Sequence, residues 1–149
     1  MTHSKGLDAI SSLLAEQKFA VVSTHRDGQP YCNLVAFAET QDIRDLLFAT
    51  GRNTSKFQNL IKDSRVSFLI DNRTNLLADF VSATAVTAFG NALELDSDRR
   101  EYYRGIFLRK HPNLSDFVDG DHNSLFKVSI KAYVIAGFDT VEKVDFTDI

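Results

Sequence analysis

Short apolar runs recur along the chain and are separated by polar and turn-forming segments. Segments rich in β-branched and aromatic residues predict six strands, over residues 19–24, 31–39, 46–50, 65–71, 84–95 and 125–138. Apolar residues at helical spacing and polar cap residues predict three helices, over residues 7–16, from an N-cap at Thr54 to about Asp63, and over 96–110. Gly90, inside the fifth strand, predicts a bulge or a close backbone approach.

The order of these elements predicts how they assemble. The early strands are joined by turns too short for parallel crossovers, so the sheet is expected to be mainly antiparallel. The chain has 149 residues, which is about the length of one domain. The sequence therefore predicts a mainly β fold, a six-stranded antiparallel barrel with flanking helices, as a single domain over residues 1–149.

Composition narrows the range of partners. The chain has 17 Lys and Arg against 20 Asp and Glu, so its formal net charge is −3. A general nucleic-acid binder needs a clustered excess of cations, whereas this charge is compatible with one small basic pocket for a phosphorylated ligand. No apolar run approaches the roughly 20 residues that cross a bilayer. Because residues 1–17 also hold no apolar run of signal-peptide length, a cytoplasmic location is expected.

The segment over residues 50–56 carries the strongest chemical signal. Its sequence, TGRNTSK, joins the third strand to the second helix and combines three hydroxyl groups with the cations Arg52 and Lys56. A helix N-terminus offers unpaired N–H groups and the positive end of the helix dipole, an arrangement that suits a phosphate. The alternative is an ordinary capped loop with solvated cations.

Other polar residues give weaker signals. A cluster around the acidic loop contains His111, Asp116, Asp119, Asp121 and His122. Its spacing matches no standard metal site, so no metal ligand is predicted. Cys32 is the single cysteine, which excludes an intrachain disulfide. With no histidine near it in the sequence, Cys32 is expected to be a small packed residue.

Six short segments, taken in order, carry a family resemblance. They are residues 19–24, 27–31, 34–37, 47–50, 54–60 and 63–69. Their order and spacing resemble the FMN-binding split barrels of the pyridoxamine 5′-phosphate oxidase-like superfamily. Four later segments resemble the haem-utilisation (HugZ-like) and CREG-like branch of that superfamily; they are residues 87–94, 109–112, 125–128 and 135–138.

The resemblance implies that FMN is the cofactor and that it binds at the interface of a homodimer. The FMN phosphate would lie on the segment after the third strand, near Ala49, Thr50, Thr54, Ser55 and Lys56. Ser55 stands where the oxidases often carry Arg, and the nearby Arg52 would replace that cation.

The resemblance also implies residues for the rest of the cofactor. The isoalloxazine ring would lie beside the second strand, at Asn33, Leu34, Val35 and Ala36, whose backbone groups would bond its polar edge. Asn72 and Arg73 would complete the site from the same chain or from the partner. Ala85 stands where oxidases often carry a Gln that contacts the flavin, so that contact is missing.

The activity implied is that of a small flavin-dependent oxidoreductase, with no identifiable general acid or base. A true pyridoxamine phosphate oxidase is not expected, because Ala38 stands where that enzyme has a substrate-phosphate Lys and residues 138–149 have no Arg-x-His motif. The alternatives are a non-enzymatic dimeric split-barrel module and a member of the same superfamily that binds haem or deazaflavin. Haem would need an axial ligand from His25, His111 or His122.

Overall fold

The computed structural model describes residues 2–146, with the side chains of residues 5–146. Met1 and residues 147–149 lie outside the described residues. The segment 138–149, expected to lack an Arg-x-His motif, therefore falls partly outside them. The helices are α1 (Thr2–Glu16), α2 (Ser55–Lys62), α3 (Asp79–Ser82), α4 (Ser97–Lys110) and α5 (Ser115–Val118), with a 3-10 turn at Pro112–Leu114. The strands are β1 (Phe19–Arg26), β2 (Gln29–Ala36), β3 (Ala38–Glu39), β4 (Asp45–Gly51), β5 (Arg65–Asp71), β6 (Ala85–Glu94), β7 (Asn123–Ala136) and β8 (Val141–Asp145).

All the strands belong to one antiparallel sheet that curls back on itself. The order is β2-β1-β5-β6-β7-β4-β3, and β8 also pairs with β7. Only Phe37 separates β2 from β3, so the same stretch of chain pairs with β1 through β2 and then with β4 through β3. The barrel is therefore closed at Ala38 and Glu39, which pair with Leu47 and Leu46. Between the rest of β2 and β4 no strand pairing is present in residues 2–146, and the barrel is split there.

The antiparallel split barrel expected from the sequence is confirmed, with a larger strand count. The predicted strand over residues 31–39 is interrupted at Phe37, because the chain changes its pairing partner there. The sequence prediction omitted β8, since this strand is short and three of its five residues are charged. The helices α3 and α5 have no counterpart among the predicted helices, because helices of four residues have almost no periodic signal.

Two hydrophobic clusters share the strand β4. Leu46 and Phe48 pack inside the barrel, whereas Leu47 and Ala49 pack on the opposite face with Phe107 of α4. Because both faces of β4 are covered, its central positions read as an uninterrupted apolar run rather than an alternation. This arrangement places α4 against the same strand that leads into α2.

Gly90 lies at a register shift in the pairing of β6 with β7. A Cβ atom at this position would collide with the Ser129 carbonyl oxygen of β7. The expected bulge and close backbone approach are therefore confirmed.

The expectation that Cys32 is packed is wrong, because its side chain is exposed. Cys32 pairs with Ser23 of β1, which lies between the buried residues Val22 and Thr24. Alternation along the strand therefore puts Ser23 and Cys32 on the outer face of the sheet. Within residues 2–146, no helix has both the length and the apolar character required to cross a bilayer.

Candidate functional site

The N-terminus of α2 is organised by two threonine hydroxyl groups. Thr54 is the N-cap, and its side-chain oxygen accepts the backbone N–H of Phe57 at 3.1 Å. The Thr54 hydroxyl donates to the Gly51 carbonyl oxygen at 2.9 Å. In the 3.2 Å contact between the two hydroxyl oxygens, Thr50 is therefore the donor. The predicted N-cap at Thr54 is confirmed, and both hydroxyl groups have partners inside the loop.

Lys56, in the first turn of α2, is mostly buried, although its ammonium nitrogen stays accessible to solvent. The residue is 9% exposed, and its Nζ has no hydrogen-bond or ion-pair partner among residues 5–146. Burial lowers the pKa of its ammonium group, and no neighbouring carboxylate opposes that effect. The backbone N–H groups of Ser55 and Lys56 also have no acceptor in the described part of the chain, as is usual in a first helical turn. These three donors and the helix dipole together favour an anion.

This helix terminus forms one wall of an open cleft of about 1150 Å³ at the gap between β2 and β4. Seven of the expected cofactor residues line it: Leu34, Val35, Ala36, Ala49, Thr50, Thr54 and Lys56. The structure thus brings together the segment expected to hold the phosphate and the strand expected to lie beside the ring.

Asn33 and Ser55 lie next to the cleft without lining it. Asn33 precedes Leu34 on β2, and its side-chain oxygen is buried with no hydrogen-bond partner among the described residues. Ser55 is an exposed residue at the start of α2. A buried, unpaired amide oxygen is costly in a protein that has no ligand to satisfy it.

Arg52 is held away from the cleft. Its Nε donates to the Ser124 hydroxyl at 2.8 Å, and its Nη2 donates to the Glu94 carboxylate at 3.2 Å. These contacts tie the loop after β4 to β6 and β7. They leave Lys56 as the cation nearest to the N-terminus of α2 along the chain.

Asn72 and Arg73 lie in another part of the molecule. The Asn72 side-chain oxygen accepts the Thr84 N–H at 2.8 Å, and Arg73 Nε donates to the Asp71 carboxylate at 2.9 Å. Arg73 lines a separate cavity of about 430 Å³ together with Ala85. Within one chain, neither Asn72 nor Arg73 reaches the cleft beside α2.

The wall opposite α2 is the C-terminal end of α4. His111 is 5% exposed, and its Nε2–H donates to the Phe37 carbonyl oxygen at 2.6 Å. Lys110 Nζ donates to the Leu14 carbonyl oxygen and to the Glu39 carboxylate, each at 2.7 Å. Burial lowers the pKa of Lys110, and the Glu39 carboxylate acts in the opposite direction. The polar contacts of this wall therefore fix the point at which the chain crosses from β2 to β3.

The sequence did not indicate that Arg109 and Lys110 belong to the site, and it offered His111 only as a candidate ligand in the haem alternative. Arg109, Lys110 and His111 end a helix before Pro112, and basic residues in a last helical turn are common because they interact with the helix dipole. Their contact with Phe37 and Glu39 spans more than 70 residues of sequence. No local pattern signals such a contact.

Among the described residues, His25, His122 and the carboxylates of the acidic loop do not line the cleft. His25 Nε2 is 2.9 Å from Asp63 Oδ2 and lines a different cavity. The Asp119 carboxylate accepts two hydrogen bonds from Arg104, which hold its pKa below the usual range. Within residues 5–146, no group of three or more His, Cys, Asp or Glu side chains is arranged to hold a metal ion.

The fold of this protein is a split barrel: its antiparallel sheet curls back on itself, and the gap between β2 and β4 forms a cleft beside the N-terminus of α2. The family model described as pyridoxamine 5′-phosphate oxidase matches residues 7–121, and the chain belongs to this family. No curated protein matches the chain in sequence.

Solved structures show the same fold at low sequence identity. A heme-binding protein from Mycobacterium smegmatis is 14% identical with a TM-score of 0.80, over 91% of this chain and 55% of the other. Campylobacter jejuni ChuZ is 13% identical with a TM-score of 0.78, over 97% of this chain and 61% of the other. A FAD-binding protein from Mesorhizobium loti is 16% identical with a TM-score of 0.68, over 84% of this chain and 89% of the other. The chain thus spans little more than half of the first two proteins.

Proposed function

We propose that this protein is an FMN-binding flavoprotein, a small flavin-dependent oxidoreductase that holds the FMN phosphate at the N-terminus of α2. The observation that carries the proposal is Lys56, a mostly buried lysine that lines the cleft and has no anionic partner among the described residues. Removing a cation even partly from water is unfavourable unless a ligand or a carboxylate compensates it. A phosphate would compensate it and would also accept the N–H groups of Ser55 and Lys56.

The residues present fit a phosphorylated ring cofactor. Lys56 and the first turn of α2 would hold the phosphate, and the backbone of β2 at Leu34, Val35 and Ala36 would border the ring. Asn33 offers a buried side-chain oxygen that still lacks a donor. When bound, the flavin supplies hydride and electron transfer, while the protein supplies binding, orientation and electrostatics. Of the similar structures, the Mesorhizobium loti protein bears the name of a flavin-binding protein.

The cofactor would lie at the interface of a homodimer. The outer face of the sheet carries an apolar row formed by Leu34, Val21 and Leu69, which face one another across β2, β1 and β5. Leu34 is 71% exposed and Leu69 37% exposed, and an exposed apolar patch of this kind is typical of a contact surface. Arg73, which is distant from its own cleft, would then reach the site of the partner chain.

The first test is the visible absorption spectrum of the purified protein, followed by titration with FMN and with riboflavin. Riboflavin is the matched control, because it has the same ring and lacks the phosphate. We expect flavin bands, release of FMN on denaturation, and tighter binding of FMN than of riboflavin. A protein that takes up neither compound would contradict the proposal and would favour a non-enzymatic module.

The dimer is tested by light scattering after size exclusion. We expect about twice the chain mass of 16.7 kDa, and a shift toward monomer for Leu69→Glu, because a carboxylate in an apolar contact surface would lose its hydration without gaining a partner. Tyr102→Glu, at an exposed position of α4, is the control and should remain dimeric. A wild-type protein that elutes as a monomer would contradict the interface.

Haem is the second candidate, because two of the similar structures are of a heme-binding protein and of ChuZ. His111 is the histidine that lines the cleft, and its Nε2–H is donated to the Phe37 carbonyl oxygen. Only Nδ1 would then be available to iron. A Soret band that is lost in His111→Gln would favour haem over FMN.

The cytoplasmic location expected from the sequence stays a prediction.

A further inference from the structure

The cleft is positively charged although the whole chain is acidic. Four cationic side chains line it: Lys18, Lys56, Arg109 and Lys110. No Asp or Glu of residues 5–146 lines it, whereas the formal net charge of the chain is −3. One of the four cations, Lys110, is neutralised by Glu39. Three positive charges therefore face the cleft, and a single phosphate at Lys56 uses only one of them.

Lys18 and Arg109 form a second cationic end of the cleft. Both side chains are exposed, and neither has an ion-pair partner among the described residues. The backbones of both residues lie near Phe37. The Lys18 carbonyl oxygen accepts the Phe37 N–H at 3.2 Å. Arg109 lies two residues before His111, whose Nε2–H donates to the Phe37 carbonyl oxygen.

The two cationic ends lie at different levels of the barrel. Phe37 adjoins Ala38, whose partner on β4 is Leu47. Thr50, beside the α2 terminus, lies three residues further along β4, which is about 10 Å at roughly 3.3 Å per residue. The cleft volume of about 1150 Å³ also exceeds the roughly 300–1,000 Å³ of a typical single-ligand pocket. The cleft therefore has both the room and the charge for a second ligand beside a cofactor.

The surroundings of Lys18 and Arg109 indicate the chemistry of that ligand. Phe19, which follows Lys18 and pairs with Ala36 next to Phe37, lines the same cleft and is 58% exposed. A large apolar side chain beside unpaired cations suits an apolar body that carries an anionic group. The planar fork of an arginine side chain matches the two oxygens of a carboxylate.

We propose that the Lys18 and Arg109 end of the cleft binds the carboxylate of a small aromatic substrate. The inference rests on the proposed function, in which Lys56 and the α2 terminus hold the phosphate of the cofactor. It names the class of molecule that would meet the cofactor, and it assigns its recognition to residues that the cofactor phosphate does not use.

The test is calorimetric titration of the protein with benzoate and with benzamide, in the presence and absence of FMN. Benzamide has nearly the same shape as benzoate and no charge. We expect benzoate to bind at least about tenfold more tightly than benzamide, and its affinity to fall as salt rises. Arg109→Gln should weaken benzoate binding about fivefold, as expected for an exposed charge pair, and should leave the affinity for FMN unchanged. Arg99→Gln, an equal charge change at an exposed position of the same helix, is the matched control and should behave like the wild type.

The outcomes separate this inference from the proposed function. If FMN binds, and benzoate either fails to bind, binds no better than benzamide or is insensitive to Arg109→Gln, the carboxylate site is refuted and the flavoprotein stands. If FMN does not bind but benzoate binding depends on Arg109, the flavin proposal is refuted and the anion site stands. An Arg99→Gln variant that loses as much affinity as Arg109→Gln would refute a local site, because only the net charge would then matter.

Discussion

The two walls of the cleft each carry a mostly buried lysine, and the two lysines differ in what compensates their charge. Lys110, on the α4 wall, donates to the Glu39 carboxylate and to the Leu14 carbonyl oxygen, and it lies 4.1 Å from the centre of the Phe37 ring. Lys56, on the α2 wall, has none of these partners within residues 5–146. Burial lowers the pKa of both ammonium groups.

The difference separates a structural cation from one available to a ligand. The charge of Lys110 is compensated inside the protein, so its removal leaves an unpaired carboxylate. The charge of Lys56 has no partner among the described residues, so its removal relieves a partial desolvation cost in the ligand-free protein. The same substitution at the two positions is therefore expected to have opposite consequences.

The largest effect is expected for Lys110→Met. Glu39 has a side chain only 18% exposed, and loss of its cation leaves this carboxylate unpaired. The free energy of unfolding, measured with urea, should fall by about 3 kcal/mol. The double variant Lys110→Met/Glu39→Leu should recover most of that loss, because no charge is then left without a partner. An unchanged unfolding free energy in Lys110→Met would show that the pair does not stabilise the fold.

The second effect concerns Lys56→Met. We expect unfolding of the ligand-free variant at an unchanged or higher urea concentration, because a desolvated charge is replaced by an apolar group of similar length. FMN binding should weaken by about 1.5–3 kcal/mol, the value of a hydrogen bond to a charged group. Riboflavin binding should not change. Lys62→Met, at an exposed position of the same helix, is the matched control for FMN titration, and equal FMN affinity in both variants would show that Lys56 does not bind the phosphate.

Much of the barrel could be predicted from the sequence because its signals are local. The β-branched and aromatic runs of β1 and β5 and the N-cap Thr54 each depend on a few neighbouring residues, and the bulge at Gly90 is signalled by its residue type alone. The apolar run of β4 was also informative, since a strand covered on both faces has no polar side. The break at Phe37 was not predicted, because it results from a change of pairing partner rather than from a change of residue type.

The candidate site was only partly predictable for the same reason. The α2 wall is one continuous segment, and the sequence indicated it. The α4 wall meets the cleft only through contacts to Phe37 and Glu39, far away in the sequence. Arg52 shows the opposite case: it stands beside the phosphate segment, but its guanidinium is paired with Glu94 and Ser124.

The smallest of the three effects is a pH dependence that distinguishes the two lysines. In the unfolded chain a lysine titrates near its ordinary pKa of about 10.4, whereas in the folded protein burial gives Lys56 a lower pKa. Between these two values the unfolded chain binds more protons than the folded one, so stability rises with pH over this alkaline interval. FMN affinity should fall over the same interval, because the neutral amine no longer attracts the phosphate. Lys56→Met should lose the contribution of this group to both trends, and the difference from the wild type isolates it from Lys110 and other alkaline groups. Identical pH profiles for the wild type and Lys56→Met would mean that water already compensates the charge of Lys56 in the open cleft, and the contrast between the two lysines would then fail.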